Sequence, residues 1–335
     1  MAYSSTDHRL DRLIYVLAKN ATVVVPGTKI ASEIGVSRST VWEWIERLRR
    51  LGLRIRGHPR RGYQLAALPD ILVPSLVRQQ VPPQQEIGRK IIHYFCAGST
   101  NDVALELRPD EAPHGTVILA EEQTAGRGRM GRTWHSERGS GIYSSTILRP
   151  RLSPAAAPLL TLMAGLAVHE AVGATTGLAA DIRWPNDVLI NGRKVSGILT
   201  EMRAELDRLH SVVLGIGINV NHRRMPAELK GIASSLALEG GKQYSRLQVL
   251  ATLLRELERH YNLLVEKGGP AIIERWMARS SYAQDKPLRV RTAVAEFVAT
   301  SNGLHPSGAL RVRRENGQEE LLFAGEVVEV KSLKG

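Results

Sequence analysis

Cysteine is nearly absent. Cys96 is the single one in 335 residues, which excludes an intrachain disulfide and fits a reducing, cytoplasmic setting. Without a partner thiol it reads as a small buried hydrophobe. Aromatic residues make up only 5% of the chain. Long apolar runs are missing as well: the longest uncharged stretch, residues 154–168, is too short and proline-bearing to span a bilayer, and no apolar signal core opens the chain. A membrane partner is therefore not expected. The ten histidines show neither metal-ligand spacing nor cysteine company, so no dedicated zinc site is expected. Acidic residues are in deficit, 33 Asp and Glu against 45 Lys and Arg, for a net charge of +12. Residues 1–65 hold 12 basic and 5 acidic side chains, so the excess concentrates at the N-terminus and points to an anionic partner there.

The apolar pattern divides the chain. Residues 9–18, 27–34 and 37–51 show helical spacing, with a break at Gly35. Ser37 is placed to cap the third helix, and Val41, Trp42, Ile45, Leu48 and Leu51 to form its buried face, leaving Trp44 toward solvent. Residues 53–65 alternate apolar and basic side chains around a Gly/Pro turn, as a two-stranded wing does. Residues 1–66 thus predict a winged helix-turn-helix. Arg38, Ser39 and Thr40 would reach base edges, while Arg54, Arg56, Arg60 and Arg61 on the wing would meet phosphates. Glu43 and Glu46 must then face away from the backbone or accept from cytosine.

Four prolines in residues 66–86 suggest a linker over 67–86. Residues 87–282 mix strands (91–95, 116–120, 141–147, 212–220) with helices (156–172, 244–266), an α/β domain. Asn191-Gly192 between apolar runs signals a hairpin that sets Lys194 at the start of the returning strand. Short alternating runs over 283–335 predict a small β-barrel. The chain as a whole reads as α+β and multidomain.

The run from Thr124 to His135 contains three glycines and three arginines. Its Gly126-x-Gly128-x-x-Gly131 spacing matches the dinucleotide fingerprint, but residues 132–141 are polar and lack the helical period that fingerprint requires. No Gly-Lys-Ser/Thr ending supports a Walker loop, and the motif occurs once, unlike a disordered nucleic-acid tail. What remains is a mobile loop between strands whose backbone approaches an anionic ligand and whose arginines supply forked donors.

That loop, extended to Glu122–Trp134, stands with Ser99-Thr100-Asn101 upstream, the runs from Arg183 to Asp187 and Lys194 to Ile198 downstream, and Gly215 to Asn221 beyond. In this order the motifs resemble the biotin protein ligases. The resemblance covers essentially the whole chain, and the winged N-terminus and C-terminal barrel are those of the bifunctional members that also repress biotin operons. It implies a class II synthetase-like ligase domain and an SH3-like barrel. The implied reaction forms biotinyl-adenylate from biotin and ATP with Mg²⁺, then transfers biotin to a lysine of a biotin carboxyl carrier protein. It also implies operator DNA as a partner and a ligand-promoted homodimer.

Residue by residue, the resemblance implies that Ser99, Thr100, Asn101 and Gln123 bind the ureido ring. Arg127, Gly128 and Arg129 would close over carboxylate and phosphates, with Gly197 allowing close approach. Arg132, Trp134, Asn186 and Asn219 would meet the nucleotide, and a Mg²⁺ held mainly by phosphates would lie near Asp187. Lys194 and Arg129 would be catalytic, since a carboxylate approaching a triphosphate is repelled unless cations stand between them. Gly98 departs from the family, which commonly has an acidic residue there. A biotin-sensing repressor with little ligase activity is the alternative; the intact loop and Lys194 argue against it, and the winged N-terminus argues against a lipoate ligase.

Overall fold

The computed structural model describes residues 8–67, 70–205 and 209–330. Helices α1 (His8–Lys19), α2 (Gly27–Ile34) and α3 (Arg38–Arg50) pack with the hairpin β1 (Ile55–His58) and β2 (Gly62–Leu65) around their own aliphatic core. Ser37 caps α3 by accepting from the Thr40 amide at 3.0 Å. The buried face of α3 is Val41, Ile45 and Leu48. Trp42 is 57% exposed and Trp44 is half-buried against the core, reversing the expected pair. Trp42 follows Val41 by one residue, about 100° around the helix, whereas Trp44 lies at i+3.

The segment expected to be a linker is instead packed. Helix α4 (Pro74–Arg78) lies within it; Leu72 and Val77 enter the core of the central domain, while Ile71, Val73 and Leu76 enter that of the winged module. Adjacent side chains thus point into two cores, which is why no single period was legible. Ser75 donates from its amide to Asp11 Oδ1 at 3.1 Å, tying α4 to α1.

The central domain follows as β3 (Ile91–Tyr94), α5 (Thr100–Glu106), β4 (Thr116–Ala120), β5 (Gly141–Leu148), α6 (Ala157–Thr176), β6 (Asp181–Arg183), β7 (Asp187–Ile190), β8 (Arg193–Ala204) and β9 (Leu209–Asn219). Its sheet runs β3-β4-β5-β9-β8-β7-β6, with β3 and β4 parallel and the other neighbours antiparallel. Asn191 and Gly192 both take positive φ in the β7–β8 turn, as a two-residue hairpin of this hand requires. Helices α7 (Leu236–Gly240), α8 (Arg246–Lys267) and α9 (Gly269–Met277) follow. The apolar run thought too short for a bilayer continues as helix to Thr176, long enough to cross one by length and composition, yet most of it is buried against α8, α9 and the sheet.

Strands β10 (Gln284–Arg291), β11 (Glu296–Leu304), β12 (Leu310–Arg314), β13 (Glu319–Leu322) and β14 (Glu326–Glu329) form a five-stranded antiparallel sheet ordered β13-β12-β11-β10-β14. Its inward residues, Leu288, Val290, Val312 and Val327 among them, join the core of the central domain. Trp184 Nε1 donates to Gly308 O at 3.1 Å across the same contact.

An ionic clasp closes the link between modules. Arg246, 1% exposed at the first turn of α8, meets Glu121 Oε2 at 2.8 Å and Asp70 Oδ2 at 3.2 Å. Glu121 Oε1 accepts from the Leu72 amide at 2.7 Å and lies 3.2 Å from His93 Nε2. Burial pushes the Glu121 carboxyl up, but Arg246 and then His93 outweigh it and hold it at about 2.

Candidate active site

Glycine shapes the cleft. Gly215 and Gly217 share one face of β9, and Gly197 pairs with Gly217 across to β8. A Cβ on Gly215 would sit 2.3 Å from Asn101 Oδ1, and one on Gly217 would sit 2.4 Å from Trp134 Cε2. The bare strands therefore admit Asn101 at one point and the Trp134 indole one step further along. Around this floor lies a cleft lined among others by Ser99, Thr100, Asn101, Gln123, Arg127 and Gly128. Arg129, Trp134, Asn186, Lys194 and Gly197 complete the expected set within it.

One end is polar and preorganised. Gln123 Oε1 accepts from the Thr100 amide at 2.8 Å and its hydroxyl at 3.1 Å, while Gln123 Nε2 donates to Ser136 Oγ at 2.9 Å. Ser145 Oγ donates to Thr100 Oγ1 at 2.8 Å, and Asn101 Nδ2 donates to Glu201 Oε2 at 2.7 Å. Ser99 occupies the N-cap position of α5 without a side-chain cap bond. Each of Ser99, Thr100 and Asn101 is buried. Ser136, Ser145 and Glu201 carry this network, yet no motif marked them: they are fixed only by strand pairing and the return of the loop.

The other end is cationic. Lys194 Nζ lies 2.6 Å from Asp187 Oδ1 and 5.4 Å from the Trp134 ring centroid. Its backbone is pinned on both sides, donating to Ile232 O at 2.9 Å and accepting from the Ser234 amide at 2.8 Å. Arg129 Nη1 donates to Asn186 Oδ1 at 3.2 Å and Gly325 O at 3.3 Å. Among the described residues Arg129 forms no ion pair, so its charge is not taken up by a carboxylate. Burial lowers its proton affinity, against Asp187 and Glu326, which raise it; a guanidinium remains charged throughout. Arg127, by contrast, pairs with Asp102 Oδ1 at 2.5 Å and Glu201 Oε2 at 2.9 Å.

Residues 94–219 match the Biotin/lipoate A/B protein ligase family, and residues 9–64 match an HTH domain. The Bifunctional ligase/repressor BirA of Bacillus spizizenii is 39% identical over 316 residues, covering 93% of this chain and 96% of that protein. The chain belongs to the bifunctional biotin ligase/repressor family. The Escherichia coli protein of the same name is 28% identical over 86% of this chain and 88% of its own length. The biotin protein ligase of Aquifex aeolicus, solved in complex with biotin and ATP, superposes with a TM-score of 0.63 at 29% identity, covering 73% of this chain and 100% of that one.

Three of the residues expected at or near the ligands of this ligase have other partners in the structure. Asn219 does not line the cleft: it is buried and donates to Ser234 O at 3.0 Å, so it anchors the segment that pins Lys194. Arg132 also lies outside, in a two-pronged pair with Glu326 on β14 at 2.5 and 2.7 Å. Asp187 does not fit a Mg²⁺ ligand, because Lys194 and Arg183 hold its two oxygens at 2.6 and 2.7 Å. Burial pushes the Asp187 carboxyl up, and Lys194 and Arg183 together bring it below its ordinary value. Its role in the fold is to aim Lys194.

On the winged module, Arg38 and Ser39 stand exposed at the start of α3, with Thr40 half-buried beside them. The Ser39 and Thr40 hydroxyls lie 2.7 and 2.8 Å from Ser37 Oγ. Arg54, Arg56, Arg60 and Arg61 are all exposed, and among the described residues none of the four forms an ion pair. Glu46 pairs with Arg49 at 2.5 Å along the helix, which directs its charge away from the helix start.

Proposed function

We propose that the cleft adenylates biotin and then transfers it to a carrier-protein lysine. The observation that carries this reading is the placement of Lys194 and of Arg129, which among the described residues has no carboxylate partner, at one end of a cleft whose other end is a preorganised polar network. Thr100, Asn101 and Gln123 present polar groups to a ureido ring, with Ser99 beside them. A biotin carboxylate oxygen attacks the α-phosphorus of ATP, the bond to the β-phosphate oxygen breaks, and pyrophosphate leaves. Lys194 and Arg129 offset the gathering negative charge. The carrier lysine amine then attacks the acyl carbon, AMP departs with the former carboxylate oxygen, and the amine loses a proton. Trp134 Nε1, buried with no hydrogen-bond partner among the described residues, supplies a donor beside the nucleotide. Mg²⁺ enters with ATP on phosphate oxygens.

Mixing protein, ATP, biotin and labelled pyrophosphate gives exchange into ATP that requires biotin; exchange with lipoate instead would overturn the substrate assignment. Arg129→Gly removes the contacts to Asn186 and Gly325 and opens the loop. The expected result is free biotinyl-adenylate in solution, measured by filtering protein away and quantifying the nucleotide; intermediate retained as in the parent protein refutes a closing role.

The winged module in this reading binds operator DNA in the adenylate-loaded state. Replacing Arg54 and Arg56 with Gln reduces the slope of log affinity against log salt by about 2, read by titrating labelled operator at several salt concentrations; an unchanged slope removes the wing from the interface. We assign residues 1–66 to that module, 87–282 to a class II synthetase-like ligase domain and 283–335 to an SH3-like barrel. The partners are a biotin carboxyl carrier protein, operator DNA and a second copy of the chain recruited by ligand, in the cytoplasm.

A further inference from the structure

Outside the cleft, one side-chain cluster has the chemistry of a metal centre. An imidazole nitrogen of His135, one of His222 and a carboxylate oxygen of Glu137 all lie within 4.8 Å of one another. His135 and Glu137 are two residues apart in the irregular segment between the arginine/glycine loop and β5, and His222 follows the end of β9. The two imidazole centroids stand 5.7 Å apart at an interplanar angle of 50°. Among the described residues, neither the His135 ring nor the Glu137 carboxylate makes a hydrogen bond or ion pair.

His222 is the decisive member. Its side chain is fully buried, yet Nδ1 has no hydrogen-bond partner. An orphaned buried nitrogen of this kind is costly unless something fills its lone pair. The other nitrogen, Nε2, lies 3.3 Å from Tyr143 Oη, which itself donates to Glu137 O at 2.8 Å. A proton on Nε2, donated to the Tyr143 oxygen, would leave the Nδ1 lone pair free for an ion, the arrangement by which an outer partner prepares a histidine ligand. The other carboxylate-histidine cluster, Glu170, Glu256 and His260, differs in that Arg259 and Arg279 already pair with Glu170, the former alongside Glu256.

We propose that His135, Glu137 and His222 form a divalent transition-metal site that staples the exit of the arginine/glycine loop to the end of β9. Two imidazoles and one carboxylate suit Zn²⁺, with a fourth position left for water. Bonds of ~2.0–2.1 Å place tetrahedral ligand atoms ~3.4 Å apart, so a cluster whose atoms all lie within 4.8 Å of one another closes by at most about 1.4 Å. Glu137 is exposed and unpaired, so it can swing inward without breaking a contact. Because His135 directly follows Trp134, the metal would hold the indole over Gly217 and stiffen the loop on its C-terminal side. The site is independent of any ion that arrives with ATP, since none of its three ligands lines the cleft.

The test uses the full chain, stripped with a chelator and titrated with Zn²⁺ by calorimetry, with Co²⁺ absorption as a report on geometry. The expected result is one ion per chain and a tetrahedral Co²⁺ spectrum. Glu137→Gln weakens binding by at least about 10-fold and His135→Asn by more, both with unchanged circular dichroism; neither position is fully buried, which keeps the test independent of folding. Glu256→Gln leaves the affinity unchanged. Absence of stoichiometric binding, equal binding by the Glu137 and His135 variants, or loss of binding in the Glu256 variant would each overturn the assignment.

Discussion

Lys194→Ala lowers biotin-dependent pyrophosphate exchange by about 10²–10³-fold or more, with the fall in kcat rather than in the KM for biotin. The expectation follows from placement. The β7–β8 hairpin sets Lys194 in the returning strand, the segment that Asn219 anchors pins its backbone, and Asp187 holds Nζ at 2.6 Å. A lysine pinned this closely loses little further freedom when an anion arrives, so its charge acts in the transition state without reorganisation. Lys194→Arg restores the charge but not the activity: a Cβ on Gly197 would meet Lys194 Cε at 2.9 Å and Trp134 Cζ3 at 3.0 Å, so the slot is sized for an unbranched ammonium chain. Circular dichroism separates lost chemistry from lost folding, since Arg183 still pairs with Asp187 in the variant. Exchange within threefold of the parent, about 0.7 kcal/mol in barrier, would remove Lys194 from the catalytic role.

The largest effect on stability is expected from Arg246→Ala. Removing one member of a buried, hydrogen-bonded pair leaves the other desolvated and unpaired, a loss of ~3–5 kcal/mol. Here the abandoned group is Glu121, buried and, among the described residues, left with His93 and the Leu72 amide. The midpoint of thermal unfolding should fall by roughly 4–7 °C; a fall of under about 2 °C would show that the clasp contributes little. The pH dependence fixes the cause. The Glu121 carboxyl sits at about 2 in the fold against 4.5 ordinarily, so the stabilisation is present above pH 4.5 and lost as pH falls toward 2. The deficit of the variant should therefore shrink on acidification over that window. Arg246 also holds Asp70, so limited proteolysis between the modules should accelerate in the same variant.

Much of the site was legible because its motifs are local. The Ser99–Asn101 run, the glycine-arginine loop and the Asn191-Gly192 turn each encode their backbone geometry, and the structure brings the first two to one cleft together with Lys194, which the turn places. Where side-chain identity and side-chain direction disagree, direction decides. Trp42 was assigned to the core of α3 for its apolarity, although its position is out of phase with Val41, Ile45 and Leu48; phase decided burial. The motif places Asn219 toward the nucleotide, while register sets it opposite Gly141 at the strand end with its amide donating to Ser234 O. The four prolines of the connecting segment suggested freedom, while its apolar residues divide between two cores.

By itself the sequence determined the order of modules, the N-terminal concentration of positive charge and the presence of a cationic loop and a hairpin lysine. These depend on composition and on neighbours a few residues apart, which propensity and periodicity report directly. Tertiary structure alone decided which cations meet carboxylates, joining Arg127 to Glu201 across 74 residues while leaving Arg129 without such a partner. It also decided that Arg246 closes on Asp70 and Glu121, and that His222 comes beside His135 and Glu137. Ligand sets and ion pairs depend on distances between atoms, and those distances are fixed only when the strands have paired and the core has closed.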